Sequence, residues 1–170
     1  MQSGQNVVKV RVATLADVAA IDALLARSYP RLLRPDYQPS VMVLAVPLIA
    51  RAKPALVTCG TYFVVELGGA IIGSGGWTLA HPGGGRTAQG TANIRHVVTD
   101  DRAVRRGVGR ALIAHILSTA RLAGITRLEC LSTLTAVPFY QAMGFVSRGP
   151  LNIALAPGID FPAVSMAREI

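Results

Sequence analysis

Only two cysteines, Cys59 and Cys130, occur in the 170 residues, and neither has a CxxC partner. Without CxxC spacing or a secretory leader, neither a disulfide nor a zinc site is expected. No secretory leader precedes them, which points to the cytoplasm. Aromatic side chains are 5% of the chain, too few for stacking on bases. Lysine is nearly absent, and the 15 arginines run from Arg11 to Arg168 with one tight cluster at 102–110, so nucleic acid is not expected as a partner. The longest apolar run, VMVLAVPLIA at 41–50, is too short for a bilayer and contains Pro47, so no membrane partner is expected either. It reads as a buried or dimer-facing helix, which leaves a homodimer open. Acids are also scarce: nine against 17 basic residues give a net charge of +8, which suits an anionic ligand.

Three chemistries are missing their signatures. No Walker lysine follows a glycine loop, GVGRAL lacks the third glycine of a dinucleotide fingerprint, and Ser74 has Ile72 where a nucleophile elbow needs glycine.

What remains suits one domain. Hydrophobic residues are 51% of the chain, enough for a full core, so residues 7–170 are expected to form a single unit behind a flexible end, MQSGQN at 1–6. Val8, Val10 and Val12 alternate as a half-buried strand. Thr14 caps a helix with Asp17 three residues on, striped by Val18, Ile21, Leu24 and Leu25, and Pro30 is expected to end it. RLLRPDYQPS at 31–40 reads as a loop, a second helix should run to about Arg51, and 53–60 is a connection. Thr61–Leu67 and Ala70–Thr78 flank Gly68-Gly69 as a hairpin. The glycine-rich 81–90 reads as an exposed connection more readily than as a substrate lid. A strand at Ala92–Thr99, a helix from Gly107 to Ala123, a strand at Thr126–Leu131, a short helix at Leu134–Met143 and a closing hairpin, Phe145–Leu155 with Phe161–Arg168, complete a mixed α/β sheet.

The densest information lies in RRGVGRAL at 105–112, where two glycines two apart open an apolar helix among Arg105, Arg106 and Arg110. Glycine admits close backbone approach, the first amides of a helix lack internal partners, and the helix dipole is positive there. An anion site results if the neighbours agree; otherwise this is a surface helix with solvated arginines. Downstream stands FYQAMGF at 139–145, and upstream the apolar strand Ala92–Thr99 enters the loop through TDDR.

Strand, glycine loop, apolar helix, short strand, FY helix and GF, in that order, resemble the GNAT acetyltransferase superfamily. The resemblance covers 92–145 by motif and the rest by topology. It implies a single-domain α/β fold, a mixed central sheet of about six to seven strands flanked by about four helices, with acetyl-CoA as donor and CoA as product. The backbone amides of Arg105, Arg106, Gly107, Val108, Gly109, Arg110 and Ala111 would then cradle the pyrophosphate. Two registers fit the family's motif. Aligning GVGRALI with the family helix leaves Val104 at its Arg/Gln position, whereas starting at Arg106 fits the letters and shifts the helix; the first is preferred because Leu112 and Ile113 then land correctly.

The same resemblance assigns Val97, Val98 and Thr99 to the pantetheine arm and puts Thr133 where the family has asparagine. Tyr140, four residues before Gly144, matches the general acid. A family glutamate corresponds here to Arg95, so the base is open; His96 has a suitable unperturbed pKa of about 6.5, but alternation lets only one of the two face a cleft. Tyr29, Arg34, Tyr37 and Trp77 fall in elements that line the family's acceptor cleft. The implied reaction is direct attack of a primary amine, on a small molecule or peptide, on the thioester. A noncatalytic acyl-CoA binding or sensing module is the alternative on the same fold.

Overall fold

Residues 7–170 are described by a computed structural model of the protein, and the end expected to be flexible, 1–6, lies outside them. The first strand is β1 (Lys9–Val12), but the expected alternation fails at its end: Val12 is exposed, and Arg11 is half-buried where it bonds Asp17 and Glu66. The Thr14 amide donates to Asp17 Oδ2 at 2.8 Å, the expected capping box, and a 3₁₀ turn leads into α1 (Val18–Leu33). Pro30 does not end that helix. Its missing amide leaves the Ala26 carbonyl without an intrahelical donor, but Tyr29 and Leu33 are buried on either side of it, and their burial carries the helix one more turn.

The second helix expected up to Arg51 is broken instead. Pro47 has no amide and its ring crowds the carbonyl of Val43, so α2 (Pro39–Leu44) stops at Ala45 and α3 (Val46–Ile49) restarts with the proline in its first turn. The connection 53–60 likewise holds one helical turn, α4 (Pro54–Val57). None of the helices among the described residues is long and apolar enough to cross a membrane.

The hairpin β2 (Tyr62–Leu67) and β3 (Ala70–Thr78) turns at Gly68 and Gly69, both at positive φ as a two-residue turn requires. Then follow β4 (Thr91–Thr99), α5 (Val108–Leu122), β5 (Arg127–Thr133), α6 (Val137–Ala142), β6 (Val146–Ala156) and β7 (Ile159–Glu169). They form one seven-stranded sheet in the order β1-β2-β3-β4-β5-β7-β6, antiparallel but for the β4–β5 pair, which α5 connects. Strand alternation divides the apolar side chains between two cores. On one face Leu112, Ile113 and Ile116 of α5 pack against Phe63, Ile94 and Leu128; on the other Ile21, Leu25 and Leu33 of α1 pack with Val46, Tyr62, Val98 and Phe161.

Candidate active site

The glycine loop is anchored before it turns. Asp100 is buried at the end of β4, where its Oδ1 accepts the Arg102 amide at 2.9 Å and its other oxygen meets Arg27 of α1. The Arg102 hydrogen bonds are the main reason its carboxyl is held below the usual range. Asp101 pairs with Arg31 at 3.2 Å, a second tie to α1. Arg105 (φ 62°) and Gly107 (φ 79°) are both left-handed, and this double reversal delivers the chain to the start of α5. The amides of Val108, Gly109 and Arg110 have no partner within the helix. Ala111 is a correction to the expected cradle: its amide already donates to the Gly107 carbonyl at 3.0 Å, and it does not line the cleft.

That cleft, about 820 Å³, opens because β4 and β5 part company. Their parallel ladder holds only at Thr91–Arg127, Ala92–Leu128 and Asn93–Glu129, although both strands run on, to Thr99 and Thr133. The divergence begins beside a bulge: Ser74 faces Val98 and Gly76 faces Arg95, so β4 has one residue more than β3 between these pairs. His96 takes up the excess at φ 47°, and its carbonyl oxygen lies 3.2 Å from the Tyr62 hydroxyl. Opposite, a Cβ on Gly75 would stand 2.7 Å from a methyl of Val97, so only glycine lets the bulged strand lie this close. Val97, Val98 and Thr99 line the cleft past the point where β5 has left, with backbone groups free of the β5 ladder.

Thr133 lines the other wall, its Oγ1 accepting the Ala136 amide at 3.1 Å; it caps the turn before α6 rather than the helix itself. Pro138 sits in the first turn of α6, where no amide is needed. Tyr140 follows, 4% exposed, lining the cleft and wedged edge-on between Phe139 and Phe145. Burial pushes its phenol well above the ordinary value, with Cys130 beside it adding to the rise, so the hydroxyl stays protonated at any working pH. Cys130 is pushed up to about 12 by the same burial and is an inert thiol.

Of the other residues singled out, Tyr29, Arg105, Gly107, Val108, Gly109 and Arg110 line the cleft, whereas Arg106 is exposed and does not. Three acceptor-side expectations need correcting. Trp77 is 6% exposed in the core against α5, its indole donating to Thr119 Oγ1 at 3.0 Å. Tyr37 is a structural clasp: its hydroxyl donates to the Pro162 carbonyl and accepts the Leu134 amide, both at 2.8 Å, and its ring stacks on Phe161. Arg34 is exposed at the end of α1 and does not line the cleft. His96 is also outside the cleft lining, and burial first, then Lys53 and Arg95, lower its imidazole to about 4.

Leu32, Leu33, Thr135 and Phe139 line the cleft without having been expected there. Pro30, a helix end by local propensity, conceals the leucines in the sequence, while Phe139 stands in the FY pair beside Tyr140.

The cradle fits a CoA-type ligand on the structure's own terms. It offers free amides at a positive helix end, two arginines, an unpaired strand edge, and a glycine where a Cβ would lie 3.1 Å from the Phe139 ring.

The chain belongs to the acetyltransferase (GNAT) family, whose model matches residues 21–145. It is an acyltransferase, and acetyl-CoA is its acyl donor. No curated protein matches it closely enough to count. Among solved structures it is similar to a GCN5-related N-acetyltransferase from Rhodopseudomonas palustris, with a TM-score of 0.75 at 17% identity over 100% of this chain and 99% of that one. It is also similar to Ard1 from Thermoplasma volcanium, with a TM-score of 0.67 at 19% identity over 96% and 97% of the two chains. The PaiA N-acetyltransferase from Thermoplasma acidophilum, solved with coenzyme A, has the same TM-score, 0.67, at 10% identity over 96% and 99%. At these identities the likeness is one of fold.

Proposed function

We propose that the protein transfers the acetyl group of acetyl-CoA to a primary amine of a small molecule or peptide by direct attack, with Tyr140 as general acid. One observation carries this reading: a single cleft is lined by the free first amides of α5, by the stretch of β4 that lies beyond the β5 ladder and by a buried, protonated phenol. Bound acetyl-CoA supplies a thioester carbonyl open to attack. Val108, Gly109 and Arg110 hold its pyrophosphate through their amides, Arg105 and Arg110 offset its charge, and Val97 to Thr99 pair with the pantetheine arm. Tyr140 gives its proton to the departing sulfur.

His96 is not part of the proposal, since it does not line the cleft. Water takes the proton of the attacking amine. The chain works in the cytoplasm, with both cysteines free, and the exposed apolar side chains of Val43, Leu44 and Leu48 support a homodimer.

Among the described residues no carboxylate or histidine lines the cleft, which leaves proton removal to solvent. A thiol-release assay tests the amine acceptor. Purified protein with acetyl-CoA and a panel of amines, amino acids, polyamines and peptides should release CoA thiol with at least one acceptor. Binding of acetyl-CoA with no release across the panel would overturn the amine-acceptor reading.

A further inference from the structure

Fifteen arginines invite the question of which are satisfied. Six meet carboxylates within 4.0 Å, and seven others are exposed, where water serves them. Two are half-buried with no carboxylate among the described residues, Arg95 and Arg168. Arg168 has a structural partner, donating to the Met143 carbonyl at the end of α6 at 2.6 Å, where the helix dipole favours a cation. Arg95 has none of comparable kind. Its Nη1 donates to the neutral hydroxyl of Thr78 at 3.0 Å, which leaves most of a five-donor fork without a protein partner and open to solvent.

Withdrawing a guanidinium from water without an anion is costly, and burial does push the Arg95 pKa down. Lys53 is in the same neighbourhood, since Lys53 and Arg95 both act on His96 as positive charges. The placement is specific as well. Tyr62 faces Gly76 and Gly76 faces Arg95, so Arg95 stands on the face where Tyr62 packs with α1, immediately before the bulge that opens the cleft. Arg95 stands just outside the cleft lining, and Val98, which lines the cleft and packs in the same α1-side core as Tyr62, is three residues on, roughly 10 Å or less along the strand.

We infer that the acceptor amine carries a carboxylate or phosphate, and that Arg95, backed by Lys53, binds this oxyanion on the α1 face of β4. A guanidinium fork matches such groups in two parallel hydrogen bonds. The short distance to Val98 selects compact acceptors with the two charges a few bonds apart, as in an amino acid or an aminoalkyl phosphate. This rests on the acetyl-transfer reading.

The test uses acceptors in pairs that differ in one group: α-amino acids against their carboxamides, and phosphoethanolamine against ethanolamine. The parent should use the anionic member of at least one pair with kcat/KM about 10- to 100-fold above the neutral one, the range of a lost charge-assisted bond. Which pair responds tells carboxylate from phosphate. Arg95→Gln should erase that preference by raising KM for the anionic member, with the neutral member and the KM for acetyl-CoA unchanged. Arg95→Lys, which keeps the charge and loses the fork, should fall between. Equal use of both members by the parent, or an equal loss on both in Arg95→Gln, overturns the inference. A second measurement stands apart from turnover: protein saturated with CoA is titrated with inorganic phosphate and with acetate while the His96 imidazole signal is followed by NMR. A saturable shift abolished by Arg95→Gln supports the site, and no saturable shift with either anion overturns it. If no thiol is released with any acceptor, the amine-acceptor reading has failed, and the titration alone decides on Arg95.

Discussion

Gly109 and Phe139 meet across the mouth of α5: a Cβ built on Gly109 stands 3.1 Å from Cζ and 3.2 Å from Cε2 of the Phe139 ring. Two motifs far apart in sequence, the glycine loop and the FY pair, are thus one contact, and the glycine is favoured there by space rather than by an unusual φ.

That contact makes the first prediction. Acetyl-CoA at about a hundred times Kd should stabilise the parent by roughly 2.7 kcal/mol, a melting shift of roughly 5–10 °C at this size. Gly109→Ala, which asks the ring to yield a few tenths of an ångström, should weaken binding severalfold. Gly109→Glu should abolish the shift through bulk and charge together, while the unliganded melting temperature changes little. Calorimetric melts of the three proteins with and without ligand check this, and full binding by the Glu variant would place the pyrophosphate elsewhere.

A second prediction concerns acid stability. Hydrogen bonds from Arg11 at 2.8 and 2.9 Å are the largest cause holding Asp17 down at about 2, and the Thr14 amide adds to them. A carboxyl depressed in the folded state stabilises above its unfolded value near 4, and that contribution is lost as pH falls through the folded one. Asp17→Asn should therefore cost about 2 kcal/mol at pH 7, less whatever solvent takes back at the partly exposed Arg11, and should flatten the loss of stability between pH 4 and 2. Urea titrations across that range would read it, and parallel acid limbs for parent and variant would contradict it.

A third prediction takes up the histidine. With its pKa lowered to about 4, His96 is neutral at pH 7 and a weak base. Its folded value lies below the unfolded one near 6.5, so it disfavours the fold increasingly as pH drops from about 6.5 to 4 and adds no further cost below. His96→Gln should leave kcat within about threefold, far short of the 10²-fold or more of a lost general base. The pH–rate profile of the variant should keep the parent's acid limb. A hundredfold loss at unchanged KM would restore His96 as the base.

Much of this site was legible because its parts are local. The anion cradle is written in contiguous residues, since left-handed turns and free first amides belong to the peptide itself, and Tyr140 is placed by the glycine that ends its own helix. The bulge at His96 is different. Whether β4 carries an extra residue depends on Gly75 across the ladder, a pairing that alternation within one strand does not encode. Trp77 and Tyr37 were misplaced for a related reason: an aromatic on a cleft-lining element can face either core, and the partners that decide, Thr119 and Pro162, are 42 and 125 residues away. Pro30 shows local propensity yielding to burial, a contest settled only once Leu33 has a core to enter.

The last prediction tests the acid. Tyr140→Phe keeps the ring between Phe139 and Phe145 and removes one buried hydroxyl beside Cys130. Cys130 is a weak hydrogen-bonding partner, so the fold should lose no more than about 1 kcal/mol. The phenol takes no part in holding the pyrophosphate, so acetyl-CoA should still raise the melting temperature as in the parent. Turnover, by contrast, should fall about 10²- to 10⁴-fold with KM for the amine little changed, since the hydroxyl acts only as the sulfur departs. An acceptor whose own amine proton can reach the sulfur through water would soften the loss, so at least two chemically different amines should be compared. Turnover of the variant within threefold of the parent on both would assign the proton to water, and Tyr140 would then be a wall of the cleft and nothing more.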